Sequence, residues 1–170
     1  MQLSAALFAA ASLAASAAAA PALQSRSDAA LSGVIDDTAK TVTYSPAQAW
    51  VRLSGLGDSN FNGGTEAYTR EANGSLVVPH FQNANTFHIA AAKKKDRGFF
   101  DVVYADQVVA VGDAHSDCEG DNCVSERILS VYNLPYVEGY NHIEVKNRGA
   151  DYRVEGVPYL GFDTLTWEQL

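Results

Sequence analysis

From Gly33 onward the chain consists of short runs rich in Val, Ile, Phe, Tyr and Thr, each closed by Gly, Asn, Asp or Pro. β-Branched and aromatic residues suit a pleated, half-buried surface, and the punctuating residues suit chain reversals. No run beyond the N-terminal stretch carries an apolar stripe at helical spacing over a useful length. Strands are expected at 41–45, 50–53, 64–70, 75–81, 86–91, 99–104, 108–111, 127–132, 141–146 and 159–167. The clearest hairpin rises through 99–104, turns at 105–107 and returns through 108–111. There Phe100, Val102 and Tyr104 share one face and Phe99, Asp101 and Val103 the other, because side chains alternate along a strand. In 141–146 the same alternation puts Ile143 and Val145 inward, and His142, Glu144 and Lys146 outward. Pro79 marks an edge position or a bulge, since it has no N–H for a ladder. This many short antiparallel strands predict an all-β, two-sheet sandwich.

The N-terminal stretch, residues 1–22, is a different object. It has no charged side chain, a long apolar middle, and small residues around Ala20 and Ala22. That is the layout of a secretory signal peptide cut after Ala22. The rival reading, an uncleaved anchor, needs about 20 strongly apolar residues, and this stretch is mostly Ala and Ser. Residues 23–33 read as a flexible leader and 34–170 as one β-sandwich domain. A formal net charge of -8 argues against general affinity for nucleic acid or anionic membrane. No later segment is apolar enough to span a bilayer, and the chain closes without a hydrophobic tail. The expectation is a protein free in the medium or the wall.

An oxidising compartment changes the reading of Cys118 and Cys123, which are expected to form one disulfide closing a small loop. The alternative, a thiolate metal site, needs more ligands than two close thiols. Asn73-Gly74-Ser75 is an N-glycosylation sequon in a turn.

The order of segments resembles a fungal family. Val34-Ile-Asp-Asp37 precedes Thr41-Val-Thr-Tyr-Ser45; Gly98-Phe-Phe-Asp-Val-Val-Tyr-Ala-Asp106 forms a hairpin; Leu134-Pro135, Gly139 and His142-Ile-Glu-Val145 follow; Phe162-Asp163-Thr-Leu165 closes the chain. This is similar to small secreted or membrane-tethered fungal domains with the galactose-binding-like jelly roll, a fold widely used by carbohydrate-binding modules. The resemblance implies a jelly-roll sandwich over most of 34–168. It also implies a structural calcium ion near the first and last strands, with Asp36, Asp37 and Asp163 as ligands. Gln107 stands where the family has Gly, and the run Lys93-Lys-Lys-Asp-Arg97 is unusually basic.

Sugar sites combine an aromatic face, which matches the C–H face of a pyranose, with polar groups that fix orientation. Trp50, Tyr136 and Tyr140 are the chosen platforms, with Arg52 and Asn60 as donors; Tyr68 and Tyr159 are further aromatics of this kind. For each, core or rim packing is the competing role, and Trp167 in the closing strand is expected to be packed. The acidic run 113–122 offers four carboxylates but not the EF-hand spacing, and reads as a solvated loop. The basic run 93–97 reads as an exposed hairpin loop, with contact to an anionic glycan as the alternative. No histidine lies in a nucleophile or metal motif. The expected function is non-catalytic binding of a cell-wall or extracellular glycan, without an organic cofactor. The alternatives are a structural or host-interacting protein with a protein partner, and a small secreted glycan hydrolase.

Overall fold

A computed structural model describes residues 32–57, 61–80, 84–120 and 123–169. Residues 1–22, read from sequence as a signal peptide, residues 23–31 and Asn60 lie outside these described residues; the last two residues of the expected flexible leader, Ser32 and Gly33, are instead paired in a strand. Strand β1 (Ser32–Asp36) is not among the expected strands; the alternating apolar runs become β2 (Thr43–Ser45), β3 (Trp50–Ser54), β4 (Thr65–Thr69), β5 (Ser75–Pro79) and β6 (Thr86–Ala92). They continue as β7 (Phe99–Tyr104), β8 (Gln107–Asp113), β9 (Ser125–Val131), β10 (His142–Asn147), β11 (Leu160–Phe162) and β12 (Thr164–Glu168). Every strand pairing is antiparallel.

One layer is the sheet β2-β5-β10-β7-β8. The other consists of β1-β12-β6-β9 and the smaller β11-β4-β3. The expected strand 159–167 is not continuous: it breaks at Asp163, so β11 pairs with β4 and β12 with β6. Asp163 itself stays in the ladder, its N–H donating to the Ala90 carbonyl and its carbonyl accepting from Asp37 N–H. One residue thus hands the chain from one sheet to the next.

The inward faces meet as expected. Phe100, Val102, Tyr104, Ile143, Val145, Leu76 and Val78 project from the five-stranded sheet onto Phe87, Ile89, Leu165, Leu160 and Phe162. Burying each large apolar side chain is worth roughly 1.5–3 kcal/mol. Gly112 is required here, because a β-carbon would fall within the Phe100 ring.

The β7–β8 turn is tighter than expected. Gln107 pairs with Tyr104, leaving Ala105 and Asp106 at φ 49° and 60°. Two left-handed residues make a type I′ turn, whose twist matches the flanking strands. Pro79 lies in a central strand, yet β2 pairs only as far as Val77. Past that point this flank of β5 has no partner from β2, so the missing N–H is tolerated.

The basic run departs from expectation. It is not a fully exposed loop: Arg97 is only 3% exposed and pairs with buried Glu66, Nη2 to Oε2 at 3.0 Å. The guanidinium lies over the Tyr68 ring and against Gly161.

Candidate functional site

The carboxylates implied by the resemblance converge. Asp36 ends β1, Asp37 follows it, and Asp163 is the break between β11 and β12; one oxygen of each lies within 4.8 Å of the others. Because β1 is hydrogen-bonded to β12, residues 127 positions apart in sequence meet at this junction. The surrounding donors are small and neutral. Thr38 donates through both N–H and Oγ1 to Asp36 Oδ1, Asn62 Nδ2 donates to Asp36 Oδ2, Asn62 N–H to Asp163, and Thr65 Oγ1 to Asp37 Oδ1. No cation is within salt-bridge distance of the three carboxylates among the described residues.

The electrostatic cost is visible in the acidities. Burial, and then the neighbouring Asp36 and Asp163 charges, push the Asp37 carboxyl up to about 6 against the hydrogen bond from Thr65. Burial also raises Asp163. Asp36 is lowered: burial opposes its charge, and the hydrogen bonds from Thr38 and Asn62 outweigh that burial. Asp37 Oδ2 is buried and has no hydrogen-bond partner. Three hard oxygens from two segments, with an unsatisfied lone-pair site among them, fit a divalent cation of the calcium type.

The aromatic residues chosen from sequence fall into two groups. Trp50 opens β3, half-buried, with its ring 4.7 Å from Tyr44 and its Nε1 donating to the Ser45 carbonyl. Arg52, exposed two residues on, lies over the same Tyr44 ring at 5.0 Å. Tyr44 was not among the sequence choices, yet it links the ledge to the carboxylates: its hydroxyl donates to the Asp37 carbonyl at 2.7 Å. Burial, and next the Asp37 charge, raise that phenol to about 12.

Tyr136 and Tyr140 gather elsewhere, around His80. The His80 ring stacks on Tyr104 at 4.8 Å and touches Phe87 and Tyr136. Tyr140 meets Tyr104 edge-on and donates its hydroxyl to Asp106 at 2.8 Å. Tyr44 pairs with Leu76 near the start of β5, whereas His80 lies just past its end. The two groups are therefore about 13 Å apart along β5, taking ~3.3 Å per residue. Both ring nitrogens of His80 are buried without a hydrogen-bond partner, and burial lowers its pKa.

Cys118 and Cys123 form the expected disulfide. In the acidic run beside them, Asp113 is taken by Arg153 and Glu119 by Lys95, so these carboxylates do not gather as ligands. Asn73 is exposed, at a turn residue with φ 64°. Tyr68 and Tyr159 meet edge to face at 5.5 Å and line a recess of about 180 Å³. Trp167 is packed as expected, its ring against Gly33 and the core.

With this geometry in place, the chain can be set against known proteins. It is similar in structure to the CBM36-1 domain of a multidomain xylanase from the hindgut metagenome of Trinervitermes trinervoides. The TM-score is 0.54 at 10% identity, covering 81% of this chain and 96% of that one. It is also similar to a two-domain esterase (CEX) active on acetylated mannans, co-crystallized with mannopentaose, at TM-score 0.53 and 13% identity. A third likeness is to the catalytic domain of a GH87 alpha-1,3-glucanase in complex with tetrasaccharides, at TM-score 0.52 and 10% identity. The aligned regions cover 82% of this chain in both cases, but only 37% of the esterase and 28% of the glucanase. These likenesses define the class of fold, an antiparallel β-sandwich of jelly-roll type. No protein-family model matches the sequence, and no curated protein matches it.

Proposed function

We propose that this protein is a secreted, non-catalytic carbohydrate-binding module for cell-wall or extracellular glycans. The observation that carries the reading is the likeness to a carbohydrate-binding domain along 96% of that domain's length. The ledge of Tyr44, Trp50 and Arg52 supplies what a pyranose needs, a ring face beside a fixed donor. Asp36, Asp37 and Asp163 would hold a structural calcium ion next to it. The ion would neutralise the carboxylates and reinforce the hold of Asn62 on Asp36 and Asp163. Tyr136 and Tyr140 form a second aromatic surface, separate from the first. Asn73 would carry an N-glycan in the secretory route that the N-terminal segment and disulfide support.

The test is retention of the mature protein on insoluble chitin, β-glucan and cellulose, with Trp50→Ala and Tyr140→Ala beside the wild type. Loss in Trp50→Ala alone, with an unchanged circular dichroism spectrum, assigns the ledge. Loss in Tyr140→Ala alone moves the site to the His80 group. Exposed Val108, Val109 and Val111 on edge strand β8 favour a second reading, a protein partner. Folded protein that is retained on none of the glycans would replace the first reading with the second.

A further inference from the structure

A cleft of about 920 Å³ opens between the 93–98 turn, the disulfide loop and the 148–159 segment. It shares Lys94 and Asp96 with the recess walled by Tyr68, Tyr159 and Arg97. Its size falls within the usual range for ligand sites, roughly 300–1,000 Å³.

The walls are fastened to one another. Lys94 N–H donates to the Ala114 carbonyl, Ser116 N–H to the Lys94 carbonyl, Lys95 N–H to the Cys118 carbonyl, and Tyr159 N–H to the Asp96 carbonyl. Arg153 closes the remaining side through hydrogen bonds to Asp113 and Asp151, at 2.6–2.9 Å. A cleft tied at so many points needs little ordering when a ligand enters, which lowers the entropic cost of binding.

The charges in the cleft are unequal. Arg153 is neutralised by its two aspartates, and Lys95 by Glu119 at 2.8 Å. Lys94 and Arg70 have no carboxylate partner among the described residues. Arg70 donates instead to the carbonyls of Val157 and Glu155, and lies over the Tyr159 ring at 5.0 Å. Arg97, in the wall of the recess, is 3% exposed and lies 3.0 Å from Glu66 and 3.9 Å from Asp96, so it adds no free charge to the cleft. An uncompensated ammonium beside an uncompensated guanidinium points to an anion. Asp96 and Glu155 also line the cleft. They repel a densely charged polyanion and accept hydrogen bonds from hydroxyls.

We propose that this cleft binds a carboxylate-bearing saccharide of the hexuronate type. Its carboxylate would lie between Lys94 and Arg70, and its hydroxyls would face Asp96 and Glu155. The inference rests on the glycan-binding reading and names a ligand class for a site distinct from the Trp50 ledge.

The test is binding of the mature protein to oligogalacturonate, dextran sulfate and a soluble neutral β-glucan, by calorimetry at two salt concentrations. Lys94→Gln is expected to weaken oligogalacturonate binding about tenfold, the loss of one charge-assisted contact. Lys95→Gln, whose charge Glu119 already takes, is expected to change it less than about twofold. Arg70→Gln serves as a second variant, provided its melting temperature shows that the loop it supports is intact. Equal losses in the two lysine variants, or dextran sulfate bound as tightly as oligogalacturonate, would mean diffuse attraction and overturn the proposal. Binding of neutral glycan alone, indifferent to Lys94, would overturn it while leaving the glycan reading intact. No binding to any of the three, together with no retention on chitin, β-glucan or cellulose, would remove both.

Discussion

Replacing Asp37 with Asn tests the carboxylate cluster directly. Asp37 is fully buried and its carboxyl is raised from 3.8 to about 6. Between those values the folded chain keeps a proton that the unfolded chain has lost. The group therefore makes stability fall as pH rises through that window, and its full cost remains at pH 7. About two pKa units correspond to about 3 kcal/mol. The Asn amide oxygen can still accept from Thr65, while its NH₂ would face the remaining carboxylates. In a chelating buffer at pH 7, Asp37→Asn should therefore melt higher than wild type, by roughly 4 °C per kcal/mol recovered. Calcium should invert the order. At 1,000 times its dissociation constant a bound ion adds about 4.1 kcal/mol, more than the repulsion costs, which the wild type gains and the variant largely forgoes. Calorimetric melts at pH 5 and pH 7, with chelator and with calcium, measure all the terms. A variant that melts below wild type in chelator at pH 7 would refute the repulsion argument. Equal calcium gains in both proteins would refute the ion site.

Three other substitutions probe separate parts of the argument. His80→Phe should preserve the stack on Tyr104 and remove two buried, unpaired nitrogens, stabilising by about 1–3 kcal/mol. Because burial holds the histidine below its ordinary 6.5, wild-type stability is lost as pH falls beneath that value. Melts from pH 7 to 4.5 should show a flatter acid limb in the variant, and a steeper one would contradict the assignment. Gly161→Ala would put a β-carbon 2.6 Å from Glu66 Oε1 and against the Arg97 guanidinium. Disrupting that buried pair should cost about 3 kcal/mol or more in denaturant unfolding. Ala105→Gly should relieve a left-handed alanine in the β7–β8 turn, raising stability by about 1 kcal/mol.

The strands were readable because alternation is local. Ile143 and Val145 face inward, and Phe100, Val102 and Tyr104 line the core, as the pattern requires. The break at Asp163 was not readable, since the residues on both sides, Phe162 and Thr164, suit a strand equally well. The burial of Arg97 is not legible because a run of cations reads as solvated, and nothing near it in sequence announces Glu66. Trp50 and Tyr140 were both placed near strand ends, but sequence alone did not say that the ends lie at opposite ends of β5. Tyr44 resembles any strand tyrosine in the sequence; only the fold sets its hydroxyl on the Asp37 carbonyl. The three aspartates were reached through family resemblance, as no local spacing connects Asp36 with Asp163.

The pairing of β1 with β12 has a mechanical side. Ser32 lies opposite Glu168, and the register runs inward to Asp36 opposite Thr164. Tension applied between these two ends would open the pair like a zipper, one rung at a time, and not shear all rungs together. The opening would travel toward the junction of Asp36, Asp37 and Asp163, where the rungs end. An ion held there would act as a stop, so the resistance of the outer strand to peeling would depend on free calcium. A calcium-loaded junction would make this sandwich responsive, at its seam, to the salt around it.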